Sequence, residues 1–525
     1  TGQGGGGGAQ TGIAANAATQ VSEGAATGGA FITQTGTTIP SLDPVLAGRL
    51  SWGHFTAPQS SAFVTGTNFF IQEQNLSSLQ LQQGFLTGTT VSLGLSNSIG
   101  ETNNQRADFN PSTSSTLGLT INQRLLQGFG VAVNNRQIRI ARNNREVSDL
   151  VFKQQAIATI TSVISLYWDL VTYLEDVRVK KQSLALAEKL YNDNRKQVEI
   201  GTMAPIEIVR AEAEVAQRQQ DLTISETQVL QQETILKNQL SRTGVTSPAL
   251  LDARIIPTDR IRMPEQEAIA PIQDVMATAM FSRPELAQRR IQVESANISL
   301  KGSKSALLPS LDAFVTLENN ALVGDVNRLS PIEFIPGAPP PPRTPDRFFI
   351  GGYGSALGQL FRRNFPDYSA GFQLNIPIRN RQAQADMLTD QLNLRQQQLG
   401  LQQLENSVRV DVQNSLIALQ QARARYQAAV KTRILQEQTL EAEQKKLALG
   451  ASTPYIVIQS QRDLALAQSS EVAALSQYAR ARTELDRATG QTLVAHNISI
   501  EEAYRGDIRR PPSALPVLDQ GGAQP

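Results

Sequence analysis

Covalent chemistry needs a nucleophile, an acid–base pair or a metal cluster, and this sequence assembles none of them. Its two histidines, His54 and His496, are far apart in the chain and outside the helical stretches. No His-Glu-x-x-His, P-loop or dinucleotide fingerprint occurs. Gly351-Gly352-Tyr353-Gly354 falls in a loop and is not expected to open a helix after a strand. Acid–arginine neighbours such as Asp486 and Arg487 read as ordinary solvated charges. Cysteine is absent, which removes a disulfide framework, a Cys-ligated metal, a thiol nucleophile and an N-terminal lipid on Cys. The expectation is a protein that is not an enzyme, with no metal site and no cofactor.

The spacing that does stand out is a turn that occurs twice. Ile200-Gly201-Thr202-Met203-Ala204-Pro205 and Leu449-Gly450-Ala451-Ser452-Thr453-Pro454 each interrupt two long stretches of helical periodicity. Glycine ends a helix in the left-handed region, and proline suits the first turn of the next. The chain should therefore fold back on itself at both places. The shift of 249 residues that carries Gly201 to Gly450 also pairs Ile208 with Val457, Leu236 with Leu485 and Ser241 with Gly490. Upstream, Asn135-Arg136-Gln137 recurs as Asn380-Arg381-Gln382. The repeating unit is strand, long helix, turn and returning helix, a tandem duplication of a half-protein rather than a solenoid period.

The elements that position these turns follow from the patterning. Residues 1–41 are a Gly/Ala-rich segment, poorly ordered or loop, and 42–133 hold the first strands and their loops. Val91, Leu93 and Leu95 alternate with Ser92, Gly94 and Ser96, while Leu117, Leu119 and Ile121 alternate with small residues. Gly84–Gly88 reads as a turn and Asn110-Pro111 as a loop. Residues 134–243 form a long helical hairpin, with Leu150, Ile157, Ile164 and Val171 seven apart and Ile160, Tyr167 and Leu174 three further on. Its first helix spans roughly 100 Å at ~1.5 Å per residue, and Trp168 beside Tyr167 reads as packing. Residues 244–308 are a proline-broken connector (Gly244, Pro248, Pro257, Pro264, Pro271) and a stacked helix from Arg283 to about Leu307. Residues 309–378 return to strands, around 313–318 and 370–378, with a long loop over 320–367 that includes Pro339–Pro342. A second long hairpin covers 379–490, and 491–525 is a tail. No run of 18 apolar residues appears, so no helix is expected to span a membrane. The chain opens on Thr1-Gly2-Gln3-Gly4 without a charged and apolar leader, which implies a removed leader or a fragment. With a net charge of +1 there is no electrostatic case for nucleic acid. On the residues alone, the strands fit either a soluble antiparallel sheet or a membrane barrel.

The combined pattern resembles the outer-membrane efflux protein family, the TolC-like channel-tunnels, over roughly residues 42–490. The residues that carry the resemblance are Ile200–Glu214 and Leu449–Asp463 around the turns and Arg283-Pro284-Glu285-Leu286 at a helix start. Leu308-Pro309-Ser310 before a strand and Gln123-Arg124-Leu125-Leu126-Gln127-Gly128-Phe129-Gly130 after one complete the match. The family implies an α+β membrane protein: a homotrimer whose strands close one transmembrane β-barrel, continued by a long periplasmic α-helical barrel built from two tandem repeats. It implies a place in the outer membrane, extending into the periplasm, with an inner-membrane pump and a periplasmic adaptor docking at the turns. Those turns correspond here to Ile200, Gly201, Thr202, Pro205, Leu449, Gly450, Ala451 and Pro454. Outer-membrane lipid would meet Val91, Leu93, Leu95, Leu119, Ile121, Phe372 and Leu374. Four strands per chain would make twelve in the trimer, with a further hairpin around 76–98 in the wall or outside it.

Two departures from the family pattern bear on function. The family places an aspartate six residues after the turn glycine, where this chain has Glu207 and Ile456. Residues 1–40 do not resemble the family's N-terminal helix, so the chain is expected to start downstream of it. The aperture candidates are Glu207 and Arg210 at the first turn and Tyr455, Ile456 and Ile458 at the second. The second-repeat side should close in a more apolar way, by dewetting rather than by charge, or those three residues simply pack between hairpins. The expected function is the passive exit duct of a tripartite efflux pump or type I secretion system for drugs or secreted substrates. The alternative is a periplasmic adaptor or structural protein with long helical hairpins and a β domain. A diffusion porin has no use for helices of ~100 Å.

Overall fold

Period-two alternation becomes six strands in a computed structural model of the chain. It describes residues 37–63, 65–241, 250, 252–259, 261, 263, 271–331 and 342–506. The strands are β1 Val45–Pro58, β2 Phe69–Gly84, β3 Thr89–Thr102, β4 Phe109–Arg124, β5 Ser310–Val326 and β6 Phe365–Asn375. They form one antiparallel meander in the order β1 to β6. The β4–β5 ladder, from Phe109↔Val326 to Arg124↔Asp312, joins the two repeats. Residues 1–36 of the N-terminal segment, Gly244, Pro248 and Pro264 of the connector, Pro339–Pro341, and residues 507–525 of the tail lie outside the described residues.

The described residues divide into two compact units. One comprises those up to Phe129 together with Gly302–Met387, and it contains the sheet. Side-chain alternation gives that sheet two chemically different faces. The row Leu46–Leu81–Leu93–Leu119–Leu317–Tyr368 crosses all six strands on one face. Beside it lies Gln83–Val91–Ile121–Val315–Ala370. The opposite face carries Gln82–Ser92–Thr120–Thr316–Ser369 and Gln80–Gly94–Gly118–Glu318–Asp367, two rows that are small or polar, with Phe314 in the next row between Asn122 and Gly371.

Three loop assignments are corrected here. Asn110-Pro111 lies inside β4, at an irregular start where the register shifts between Phe109 and Ser112. The 320–367 loop is much shorter than expected, because β5 continues to Val326 and a helix spans Tyr353–Arg362. Gly352 caps that helix, so the glycine cluster does open one. Ala356 and Leu360 fall on one helical face and pack on Ala321 and Val323, flanked by Leu95 and Leu117.

The other unit comprises Gly130–Lys301 and the described residues from Leu388 onward. Numbered along the chain, the longer helices among the described residues are α1 Arg136–Glu199, α2 Ile206–Leu240, α3 Ile272–Ser282, α4 Pro284–Ala306, α5 Tyr353–Arg362, α6 Arg381–Ala448 and α7 Pro454–Ala488. Helix α3 is not anticipated from the sequence, since Pro271 before it, Pro284 after it and its short length hide it. The two long hairpins are α1 with α2, Arg136 to Leu240, and α6 with α7, Arg381 to Ala488. The α1–α2 contact is built from Leu170, Val229 and Leu236, with Val163, Leu166, Leu174 and Val177 around them. This seam differs from the expected Leu150–Ile157–Ile164–Val171 stripe because α1 also packs against α7, which spreads its apolar residues over two faces. Helix α4 lies along the first part of α1, where Arg139 meets Glu294 at 3.2 Å and Asn143 meets Ser295 at 3.0 Å. An 18-residue stretch of α1 is apolar enough by composition to cross a membrane, contrary to expectation; 22% of its residues are fully buried within the chain and most of the others are half-buried.

Candidate functional site

The two turns are local structures of the same kind. Gly201 has φ 83° and Gly450 has φ 74°, a backbone region that strains a residue with a Cβ. In the first turn the Thr202 N–H donates to the Gln197 carbonyl at 2.9 Å and the Gly201 N–H to the Val198 carbonyl at 2.9 Å. In the second, Ala451 donates to Lys446 at 2.8 Å and Gly450 to Leu447 at 3.0 Å. Both are Schellman caps, satisfying carbonyls that a helix end leaves open. Pro205 then precedes α2, and Pro454 takes the first helical position of α7. Ile200 and Leu449 stand out at the tips, 72% and 85% exposed.

The aperture candidates separate into two groups. Tyr455 and Ile456 are exposed. Ile458, grouped with them from the sequence, is a packing residue: it is buried with Val457, Leu464, Leu190 and Leu440. At the first turn Glu207 accepts from Arg210 at 2.8 Å, one helical turn on. Its position in the first turn of α2 also suits the positive end of the helix. The second turn is less apolar than its own residues suggest. Ser452 Oγ donates to Glu443 at 2.8 Å, and Lys446 bridges the same carboxylate at 2.6 Å. The hydrogen bond from Lys446, followed by that from Ser452, holds the Glu443 carboxyl below the usual carboxylate range.

Sequence reasoning missed the residues that tie the returning helices together. Glu214 on α2 is buried and accepts from Arg462 on α7, at 2.9 Å from Nε and 2.5 Å from Nη2. Arg218 bridges the same carboxylate at 2.6 Å and reaches Asp221 at 3.2 Å. Burial pushes the Glu214 carboxyl up, but the hydrogen bonds from Arg462 and Arg218 outweigh it and hold the group below its ordinary value. The only signal in the sequence is an acid inside a strongly patterned helix, which also fits a solvated face. Farther along, Asp176 accepts from Ser225 on α2 at 3.0 Å and from Ser469 on α7 at 3.1 Å. Arg480 of α7 also pairs with Asp169 of α1.

The Arg283-Pro284-Glu285-Leu286 motif acquires a structural reason. Arg283 bridges Glu285 at 2.6 Å and Asp411 of α6 at 2.8 Å. Leu286 is fully buried against Ala279, Val408, Val412 and Ala488. Arg487, read as solvated, instead reaches Asp411 at 3.3 Å and Glu484 at 2.6 Å. Gly490, at φ 72°, ends α7 with another such cap, and a Cβ there would meet the Ser282 backbone at 3.1 Å.

In the sheet, Val91, Leu93, Leu95, Leu119, Ile121, Phe372 and Leu374 all lie on the apolar face by register. Phe372 and Leu374 are 75% and 58% exposed. Leu95 differs from the rest, being packed against the cluster under α5. Above the apolar rows the same face turns polar, with Asn97 bonded to Ser115 at 2.7 Å and His54 to Glu73 at 3.2 Å.

The sequence model of the outer membrane efflux protein family matches residues 90–241 and 275–491, well over half of the chain. A search of curated proteins found no match. Among solved structures, the CmeC outer membrane channel of Campylobacter jejuni is 13% identical. The likeness covers 89% of this chain and 82% of that one with a TM-score of 0.56. The MtrE outer membrane channel of Neisseria gonorrhoeae, in its open state, is 17% identical over 86% and 81%, with a TM-score of 0.52. The outer membrane protein VceC of Vibrio cholerae is 12% identical over 86% and 87%, with a TM-score of 0.51. At these identities the likeness is one of fold. Strands β1 and β2 precede the first matched residue.

Proposed function

The chain belongs to the outer membrane efflux protein family, and from that premise we propose that it is the exit duct of a tripartite efflux pump or type I secretion system. Three copies assemble, their strands closing a barrel in the outer membrane and their helices a tunnel into the periplasm. Substrates are conducted passively, with energy supplied by an inner-membrane pump. The observation that carries this reading is the two-faced sheet. A band of exposed Leu, Ile and Phe side chains suits lipid, and the small or polar opposite face suits a water-filled lumen. The apolar residues Leu311 to Leu317 on β5 extend about 20 Å at ~3.4 Å per residue, close to the ~25 Å band of outer-membrane barrels.

The helical unit supports the same reading. The apolar stretch of α1 is mostly half-buried within one chain, and the part that stays open suits contact with neighbouring copies. At the two turns, exposed Ile200 and Leu449, with Gly201, Thr202, Pro205, Gly450, Ala451 and Pro454, form the docking tips for the periplasmic adaptor. Tyr455 and Ile456 line an apolar half of the closed aperture, and the Glu207–Arg210 pair lines a charged half.

Purification in detergent followed by planar-bilayer recording tests this function. Heat-resistant trimers and defined single-channel conductance are expected. A water-soluble protein with no conductance would instead support a periplasmic adaptor with helical hairpins.

A further inference from the structure

Strands β1 and β2 continue the wall chemistry of β3–β6. From Gln72↔Thr102 to Gly84↔Thr90, β2 is paired with β3 along nearly its whole length. On the apolar face Leu79 and Leu81 stand beside Leu95 and Leu93, and Leu46 stands beside Leu81. Leu50 and Trp52 of β1 are 85% and 65% exposed on that face. On the other face Ala47, Arg49 and Ser51 of β1 oppose Gln80, Ser78 and Leu76. A hairpin standing outside a barrel would have no reason to repeat this division at the same level.

The six-strand sheet ends on two long edges, β1 with 14 residues and β6 with 11, and neither edge has a further partner among the described residues. Backbone groups cannot remain unpaired in hydrocarbon, so a sheet in lipid must close. An even number of antiparallel strands makes β1 and β6 run in opposite directions. The β1 edge of one copy therefore meets the β6 edge of the next in the antiparallel sense. Their polar faces are complementary in charge, with exposed Arg49 on β1 and exposed Asp367 on β6.

Resting on the proposed trimeric duct, we infer that β1 of one copy pairs with β6 of the next. Each copy then contributes six strands, and three copies close a barrel of eighteen rather than twelve. Barrel diameter grows roughly linearly with strand number, so the lumen cross-section is about twice that of a twelve-stranded wall. Barrels of about this size leave an aqueous channel.

The chain has no native cysteine, so disulfide trapping reads this closure directly. Full-length variants carry one cysteine on β1 (Arg49→Cys or Ser51→Cys) and one on β6 (Asp367→Cys, Ser369→Cys or Gly371→Cys). The set covers several registers, since a bridge needs Cα atoms within about 7 Å. A control combines Ser96→Cys on β3 with the same β6 sites. Under oxidation, at least one β1–β6 combination is expected to convert most of the protein to reducible covalent oligomers up to trimer, with the β3–β6 control uncrosslinked. Crosslinking through β3 instead would overturn the inference and place the hairpin outside a twelve-stranded wall. Intact heat-resistant trimers with no β1–β6 crosslink at any register would also overturn it. A chain that forms no trimer before oxidation would defeat the exit-duct reading itself, and the unoxidised gel distinguishes that failure from the others.

Discussion

Removing the Glu214–Arg462 bridge should loosen the closed end. The two residues lie 13 and 12 positions after their turn glycines, roughly 20 Å along their helices from the tips. The Glu214 side chain is 2% exposed, Arg218 12% and Arg462 49%. Orphaning a fully buried charge costs about 3–5 kcal/mol. Glu214→Ala should cost less, about 2–3 kcal/mol, because Arg218 keeps Asp221 at 3.2 Å and charged hydrogen bonds contribute ~1.5–3 kcal/mol. Arg462→Ala should cost about 1 kcal/mol, since that partner is half exposed and Arg218 still neutralises the carboxylate. A double-mutant cycle should show coupling of about 1–1.5 kcal/mol. If opening separates α7 from α2, loss of that coupling raises the open population roughly tenfold, ~1.4 kcal/mol being one decade. Bilayer recordings and melting curves of the wild type, both single variants and the double variant measure the two effects. Strict additivity, or lower melting temperatures with unchanged open probability, would refute the bridge as a gate restraint and leave it as packing.

The bridge also sets a pH dependence. The folded-state value of Glu214 is depressed, so its contribution is present above the unfolded value near ~4.3. It is lost as pH falls through the lower folded value. Open probability should therefore be flat between about pH 5 and 8 and rise below about pH 4 in the wild type, and Glu214→Gln should abolish that rise. Gly450→Val should cost about 1–2 kcal/mol from backbone strain alone, since a Cβ there meets nothing within 4 Å. Gly490→Val should cost more, because its Cβ also presses on Ser282, and thermal melting ranks the two. Leu93→Lys or Phe372→Lys should oppose membrane assembly by about 2–4 kcal/mol near the midplane, read as the fraction of heat-resistant trimer. Ile456→Asp should raise conductance to small ions with trimers intact if Tyr455 and Ile456 gate by dewetting. An unfolded protein with no conducting trimer would make Ile456 a packing residue.

The sequence by itself determined whatever depends on neighbours a few residues away. Gly201 and Gly450 end their helices through hydrogen bonds that reach back no more than five residues, so the turns and the duplication were legible. The same holds for the faces of β3 and β4, since alternation with a period of two needs only the strand itself. The tertiary structure decided what depends on residues distant in the chain. Ser310–Val326 pairs with a strand some 200 positions earlier, and no local pattern encodes that partner. Helix α5 was hidden by its glycine-rich start, and only the sheet beneath Ala356 and Leu360 gives its apolar face a reason. Ile458 and Ile456 are the same residue type two positions apart, and only the helices packed around them make one buried and the other exposed. Glu214 and Arg462 each look like ordinary helix charges. Burying that carboxylate between two helices 248 residues apart makes the pair a specific bond, because removal from water is costly unless a partner is fixed in place.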